Sequence, residues 1–321
     1  MVSVAQRLFT GVRLFSNISV LFAVFASLLF RSLINENNLT WQVVLSVLAL
    51  IIGIPHGAVD HLITIPRTSR GRFISFIVIY VAIAVIAVLA ILKWNVLGFQ
   101  IIVWMSALHF GIGDASFITE NDQLHSRKSS PLFFKFIYAI PAGTLPVIIP
   151  LVQNKSSSAL NRVNPKLIDW AGDYANTFKI SIAALTICAM LILLLNKQFR
   201  NVIDLLLLAM LAFLTPPLIA FSFYFGCWHA LRHTARLTSL LPKSQQAISA
   251  GDIKGTFIAA VTPGLPALAG TLAVGIFLAF ANQKGLSTSL LWSLLVVVWA
   301  LTVPHMIATA RLDSKALFTK E

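Results

Sequence analysis

The sequence predicts an all-α integral membrane protein, a polytopic helical bundle of about ten transmembrane helices. Of its 321 residues, 58% are hydrophobic and 11% are charged, whereas soluble domains carry about 25% charged residues. Apolar runs of roughly 20 residues, long enough to cross about 30 Å of hydrocarbon, recur along almost the whole chain. The segments between them are too short for a soluble domain, so we expect residues 1–321 to form a single transmembrane domain.

The apolar runs place the helices in order. Arg7 and Arg13 precede the first run, which lacks a convincing cleavage site and therefore favours an uncleaved helix over a signal peptide. Pro216 and Pro217 separate the seventh helix from the eighth, because proline lacks a backbone donor. The seventh is short enough to be tilted, re-entrant or fused with its neighbour, so eight or nine spans stay open. The predicted ranges are 15–34, 41–64, 73–93, 97–119, 132–152, 176–196, 201–214, 217–237, 257–282 and 287–310.

The distribution of lysine and arginine agrees with this count. With ten helices and both termini on one side, 17 of the 24 cationic residues fall on that side and 7 on the other. The positive-inside bias then places both termini in the cytoplasm and the protein in the inner (cytoplasmic) cell membrane. The net charge of +13 would suggest nucleic acid for a soluble protein. Here we expect no nucleic-acid partner, because the cations fall mainly in short loops beside the bilayer.

Six of the seven histidines lie in strongly apolar stretches. Imidazole is costly there unless it is hydrogen-bonded, charge-paired or bound to a metal. In the ten-helix topology these histidines fall at similar depth, in the cytoplasmic half of the bilayer, as the ligands of one site must. The six are His56, His61, His109, His229, His233 and His305, whereas His125 lies in a polar loop.

Four of these histidines are the candidates for metal ligands. His229 and His233 are four residues apart, which puts both rings on one helix face, the spacing of two-histidine metal sites. The alternative is a pair near a helix end that faces lipid headgroups. For His109 the alternative is a satisfied polar contact. His56 follows Pro55 in a segment rich in proline and glycine, which can open a helix beside a cavity.

Four polar residues are candidates for supporting positions. Asp60 shares the helix face of His56 and is placed to accept a proton from its ring. His61 points away from His56 and is expected in an outer or interfacial position. Asp114 follows His109 by five residues. His305 on the last helix is expected to support the site or to pack, rather than to bind the metal.

Aromatic residues stand next to the histidines. Phe110, Tyr224 and Trp228 are candidates for the wall of a tunnel that holds a long apolar substrate, with plain packing or lipid contact as the alternative. The two cysteines form no CxxC pair, and the sequence has no GxSxG, HExxH or phosphate-binding loop. A site of three or four neutral imidazoles suits iron, copper or zinc.

Three strings, taken in order, resemble the Brp/Blh family of membrane β-carotene 15,15′-dioxygenases. They are Gly53–Asp60, His109–Asp114 and Trp228–His233. The resemblance implies cleavage of the central double bond of β-carotene with O2 and non-haem Fe(II), giving two molecules of retinal. It places the iron ligands at His56, His109, His229 and His233, assigns the chemistry to the metal rather than to a protein acid or base, and suggests a functional link to a retinal-binding rhodopsin.

The residues alone leave other classes of function open. One is an intramembrane metal or small-solute transporter, which the scarcity of acidic residues deep in the helices disfavours. Another is a non-catalytic protein that binds a carotenoid or haem. A retinal Schiff base within this chain is disfavoured, because no lysine lies in the middle of a predicted helix.

Overall fold

The computed structural model describes residues 3–32, 34, 39–64, 70–281 and 286–318, with the backbone only for 286–288. Every regular element in these ranges is helical, which confirms the predicted all-α bundle. The helices are α1 Val4–Leu29, α2 Thr40–Gly57, α3 Asp60–Thr64, α4 Arg70–Lys93, α5 Asn95–Leu124, α6 Leu132–Val152, α7 Ser156–Val163, α8 Ala175–Leu195, α9 Phe199–Leu214, α10 Pro217–Ser222, α11 Ala230–Thr238, α12 Pro242–Ser249, α13 Ile253–Val261, α14 Leu265–Ala281 and α15 Leu286–Phe318.

Within the described ranges, eight helical stretches are long and apolar enough to cross a membrane. Each of the ten predicted segments is helical over most of its described residues, and the fifth has the predicted bounds, 132–152. The two that fall outside the eight are the seventh and eighth. Helix α9 has 16 residues, about 24 Å at 1.5 Å per residue, and the predicted helix 217–237 is divided into three segments.

The first helix begins earlier than the predicted residue 15. The Ser3 hydroxyl accepts a hydrogen bond from the Gln6 backbone at 3.1 Å, and the Gln6 side chain accepts one from the Ser3 backbone at 2.7 Å. This reciprocal pair is a capping box, which satisfies two backbone donors that a helix start leaves unpaired. The helix therefore starts at Val4, ahead of the apolar run.

A π-helical segment, Phe223–His229, interrupts the predicted eighth helix between α10 and α11. The backbone N–H of Ala230 bonds to the carbonyl of Phe225, five residues earlier rather than four. A π segment turns the following side chains relative to an α-helix and is often found at functional sites. The segment contains the aromatic residues Tyr224 and Phe225 together with His229.

Helices α5 and α6 approach each other with their backbones in contact. A Cβ atom added at Gly111 would overlap the Ala139 carbonyl oxygen, and one added at Gly143 would overlap the Ala107 carbonyl oxygen. The backbones of the two helices therefore approach closely at Gly111. Gly113 differs, since a Cβ there would lie 3.9 Å from His229, an ordinary contact.

Two buried arginines join the helices around the site. Arg232 is ion-paired with Asp114 at 2.7 Å and Asp204 at 3.2 Å, and its guanidinium lies 3.6 Å from the centre of the Trp228 ring. Arg236 is ion-paired with Glu120 at 3.0 Å and Asp313 at 2.7 Å. Arg232 and Arg236 are 2% and 1% exposed, so the interpretation of this helix end as facing lipid headgroups is wrong. The carboxylates of α5, α9 and α15 hold it inside the bundle.

Candidate metal centre

Five buried imidazole rings converge at the centre of the bundle. They come from α2, α5, the π segment, α11 and α15, and each residue is 6% exposed or less. Their sequence positions span most of the chain, so the folding of separate helices brings them together. The five are His56, His109, His229, His233 and His305.

Four of the rings form a closed circuit. In the order His56, His229, His109, His305 and back to His56, neighbouring ring centroids lie 5.2, 5.3, 5.0 and 5.6 Å apart. The His233 ring lies 5.1 Å from that of His56 and 5.4 Å from that of His305. It lies 6.1 Å from His229 and 6.4 Å from His109. His233 thus stands on one side of the circuit, in contact with all four members.

The ring nitrogens of this cluster have unfilled bonding capacity. Buried nitrogens without a hydrogen-bond partner occur on all five rings, at Nδ1 of His56, Nε2 of His109, His229 and His305, and both nitrogens of His233. A buried polar atom without a partner costs about 1–3 kcal/mol, and five such residues in one place favour a shared ligand. Imidazole nitrogens are good ligands for iron, copper and zinc, so these residues fit a transition metal.

The cluster is wider than a closed coordination shell. Among the described residues, no group of three or more His, Cys, Asp or Glu side chains is drawn together closely enough to hold an ion as it stands. With a metal–nitrogen distance of about 2.1 Å, ring centroids on one ion would lie roughly 4.6–5.3 Å apart. Three of the four circuit spacings, 5.2, 5.3 and 5.0 Å, lie within this range, and the fourth, 5.6 Å, lies just above it. The spacing of the circuit rings is therefore compatible with one shared ion.

Asp60 supports a different histidine from the one expected. Its carboxylate oxygens lie 2.8 and 3.0 Å from Nδ1 of His305, and it also accepts a hydrogen bond from the Tyr80 hydroxyl at 3.1 Å. The expected partner was His56, four residues earlier on one helix face. That register does not exist, because α2 ends at Gly57 and α3 begins at Asp60.

The other two supporting candidates lie away from the ring cluster. The His61 ring packs against Phe73, with centroids 5.7 Å apart, although His61 lines the cavity beside the cluster. Asp114 binds Arg232, the Tyr138 hydroxyl and the Trp228 indole N–H instead of a histidine. Five residues correspond to about 140° around a helix, which turns Asp114 away from the rings.

Two apolar cavities meet beside the cluster. The first has no charged residue in its wall and lies among α2, α5, α6, α10 and α15. The second reaches outward between α4 and α14 and is lined by His56, His109, His229 and His305. Both include four residues that therefore form the partition between them: Phe110, Phe225, Val298 and Thr302.

The aromatic candidates divide between the cavity wall and the interior. Phe110 lies in the partition, with its ring centroid 4.2 Å from that of His229. Tyr224 lines the first cavity and packs on Phe110 at 5.5 Å. Trp228 lines neither cavity, because its ring covers Arg232 and its N–H is bonded to Asp114. Trp228 was expected in the tunnel wall, and this is corrected here: it does not line either cavity.

Sequence reasoning did not identify two residues of this site. Phe225 lies in the partition, in a space that Gly53 provides, since a Cβ at Gly53 would overlap its ring. Tyr80 reaches Asp60 from α4. Gly53 belongs to a string rich in proline and glycine, but nothing in that string indicates that Phe225 packs on it. Tyr80 is the one polar residue in the stretch 76–92 of α4, and it was therefore the side chain there that could form a hydrogen bond.

Comparison with known proteins places the chain in a family. A model of the family described as "Beta-carotene 15,15'-dioxygenase" matches residues 47–313. A protein of Halobacterium salinarum named "Probable beta-carotene 15,15'-dioxygenase Blh" is 24% identical over 304 residues, covering 83% of this chain and 82% of the relative. A "Beta-carotene 15,15'-dioxygenase" from an uncultured marine bacterium, 66A03, is 27% identical over 273 residues, covering 81% and 90%. No solved structure matches the chain.

The matched region begins within α2 and ends within α15, so it contains all five clustered histidines, both cavities and the partition. It also includes the three strings on which the resemblance to the Brp/Blh family rests. That resemblance is confirmed: this chain belongs to the β-carotene 15,15′-dioxygenase family.

Proposed function

We propose that this protein is an oxygenase that cleaves the central 15,15′ double bond of β-carotene with O2 and releases two molecules of retinal. The observation that carries the proposal is the position of the ring cluster beside the partition of two apolar cavities. A symmetric polyene that lies across the partition extends one half into each cavity. Its central bond then passes the histidines, whereas a bond near either end would lie far from them.

The proposed cofactor is ferrous iron, held by His56, His109, His229 and His233 as the family resemblance implies. Bound there, Fe(II) would supply the redox chemistry that activates O2. The unpartnered ring nitrogens support this ligand set. The cluster lies among apolar walls that exclude water. We assign no protein side chain as a nucleophile or general base, because the chemistry takes place at the metal.

The role of the remaining side chains is orientation. The walls of the first cavity come from apolar residues of several helices, and Phe110 and Phe225 stand between this cavity and the rings. A polyene between these aromatic faces is held in one direction. Orientation of this kind lowers the barrier of a reaction, because the substrate loses its rotational and translational entropy on binding rather than in the reaction step.

The substrate is proposed to enter from the bilayer. The second cavity lies between Phe76, Ile77 and Val81 of α4 and Ala267 of α14, and both helices have largely exposed apolar outer faces, as expected for contact with lipid acyl chains. β-Carotene dissolves in lipid, so lateral entry avoids transfer through water. We place the protein in the cytoplasmic membrane with both termini inside the cell, where its retinal would serve a rhodopsin.

Coexpression tests the activity. Cells that make β-carotene should lose colour and accumulate retinal when they express the protein. His109→Ala and His229→Ala should abolish both effects while the protein still inserts in the membrane, and His125→Ala should leave them unchanged, since His125 is bonded to Thr10 and Asn121 far from the cluster. Full activity of both cluster variants would overturn the site assignment.

The structure also weighs against the transporter hypothesis. Asp60, Asp114, Asp204 and Asp313 are the buried carboxylates of the described chain, and each is bonded to an arginine or histidine. A cation pathway needs carboxylates that can exchange partners. Metal flux into proteoliposomes would support that alternative, and its absence together with retinal formation supports the oxygenase.

A further inference from the structure

We propose that His305 is a fifth protein ligand of the metal, and that Asp60 and Tyr80 position it. The inference rests on the proposed metal-dependent function and adds a ligand to it. It concerns the last helix, which the family resemblance leaves outside the ligand set. The His305 ring lies between those of His56 and His109 and completes the circuit of four.

The hydrogen bonds of His305 determine which nitrogen is available. An ionised carboxylate only accepts hydrogen bonds, so Nδ1 of His305 carries a proton and its N–H donates a hydrogen bond to Asp60. In a neutral ring, Nε2 then carries the lone pair, and Nε2 is buried without any partner. Metal-binding histidines commonly donate their second nitrogen to a carboxylate in this way, which fixes the tautomer and the ring orientation.

Asp60 is in turn held by a residue from another helix. The Tyr80 hydroxyl of α4 donates to the carboxylate at 3.1 Å, and Asp60 is 2% exposed. A buried carboxylate needs such donors to offset its lost hydration. The chain Tyr80–Asp60–His305 therefore links α4, α3 and α15 and ends at an unpartnered nitrogen among the other rings.

Gly57 lies beside this ring. A Cβ at Gly57 would lie 3.4 Å from Nδ1 and 3.6 Å from Cε1 of His305, which are ordinary contact distances. The ring thus packs close to the backbone of α2, next to His56.

The four circuit rings also share one side of the cluster. His56, His109, His229 and His305 line the second cavity, whereas His233 does not. A metal held by these residues would therefore face the cavity through the four circuit rings, His305 included, and O2 and the polyene would arrive from that side.

The test measures metal binding in purified, full-length protein, loaded with Fe(II) or Co(II) under anaerobic conditions. We compare wild type with His305→Gly, Asp60→Asn and Tyr80→Phe. His125→Ala and Asp122→Asn are matched controls, because both residues lie outside the cluster and Asp122 is paired with Arg127. Monodisperse elution in detergent checks folding, and the readouts are metal content, the dissociation constant and the Co(II) absorption spectrum.

We expect His305→Gly to weaken metal binding at least tenfold and to change the Co(II) spectrum toward a lower coordination number. Added imidazole should restore the wild-type spectrum by filling the vacated space. Asp60→Asn should weaken binding by roughly 10- to 100-fold, as for other residues that orient metal ligands, and Tyr80→Phe by less. The controls should match wild type.

Two results would overturn different claims. A His305→Gly or Asp60→Asn protein with wild-type affinity and an unchanged Co(II) spectrum would overturn the assignment of His305 and leave the four-histidine centre in place. Wild-type protein that binds neither metal would overturn the metal-dependent function itself. If His305→Gly does not fold, the Asp60→Asn spectrum decides the question, since that substitution preserves size and removes the charge that orients the ring.

Discussion

The ring of Phe110 lies against the ring of His229, with their centroids 4.2 Å apart. Phe110 follows the clustered His109 directly on α5, and its ring belongs to the walls of both cavities. One aromatic side chain therefore contacts a proposed metal ligand and separates the two halves of the proposed substrate site. Under the proposed function, we expect this contact to favour cleavage at the central bond.

Phe110→Ala should lower the rate of retinal formation about 10- to 100-fold while metal content stays at the wild-type value. We expect this loss because a polyene without this wall samples misaligned positions, and misplacement by about 1 Å can lower the reaction rate about 10²-fold. Chromatography of the products should also show apocarotenals of unequal length. Phe133→Ala is the control, since Phe133 is 62% exposed on α6. Loss of metal in Phe110→Ala would show instead that the ring holds the ligands in place.

Gly111→Ala should destabilise the bundle. The added methyl group would overlap a backbone carbonyl of α6, which can move only if the helices separate, and such overpacking costs about 1–3 kcal/mol. A thermal-shift assay in detergent should show a lower midpoint.

Gly270→Ala is the matched comparison, because nothing lies within 4 Å of a Cβ at that position of α14. It should be neutral or stabilising, since alanine favours helix over glycine by up to about 1 kcal/mol. Equal midpoints for the two variants would contradict the backbone contact between α5 and α6.

Arg232→Met should destabilise the protein by about 3–5 kcal/mol, because Asp114 would be left buried without its cation and Asp204 would keep only its ion pair with Arg13. It should also reduce metal content, since Arg232 lies between His229 and His233 on the chain and fixes the position of α11. Unfolding in denaturant and metal analysis measure the two effects. Arg127→Met removes a more exposed pair with Asp122 and should cost about 1 kcal/mol or less. Similar losses of stability in both variants would show that burial does not determine how much these ion pairs contribute to stability.

The orientation in the membrane is tested by reporters fused to the two termini. A cytoplasm-active fluorescent protein should be bright at either end, and a periplasm-active phosphatase should be inactive at both. The positive-inside distribution is the reason, with 17 of 24 cations on the expected cytoplasmic side. A phosphatase-active fusion at one end would mean an odd number of crossings.

The features that the sequence predicted are those that local pattern controls. Apolar runs located the helical segments, because length and hydrophobicity are properties of one stretch of chain. The spacing of His229 and His233 predicted a shared face, and the two rings do lie in the same cluster, 6.1 Å apart. Polar residues in apolar surroundings likewise identified His56 and His109.

Other features depend on which helices are neighbours, and periodicity carries no such information. His305 was expected to support the site from outside, yet α15 packs against α2 and α5 and brings its ring into the circuit. Arg232 and Arg236 lie near the end of a predicted helix, and their burial was not predicted because their acidic partners lie 28 to 118 residues away. Proline and glycine indicated that the helix can open near His56, but they did not predict that a break between Gly57 and Asp60 brings Asp60 to His305.

The proposed function requires that the metal cluster acts on the middle of a polyene that extends into both cavities. Incubation of purified, Fe(II)-loaded protein with β-carotene and O2, followed by chromatography, measures this. We expect retinal as the sole product, two molecules for each β-carotene consumed, in proportion to bound iron. Retinal formation that is independent of iron, or products of unequal length from the wild-type protein, would overturn the proposal.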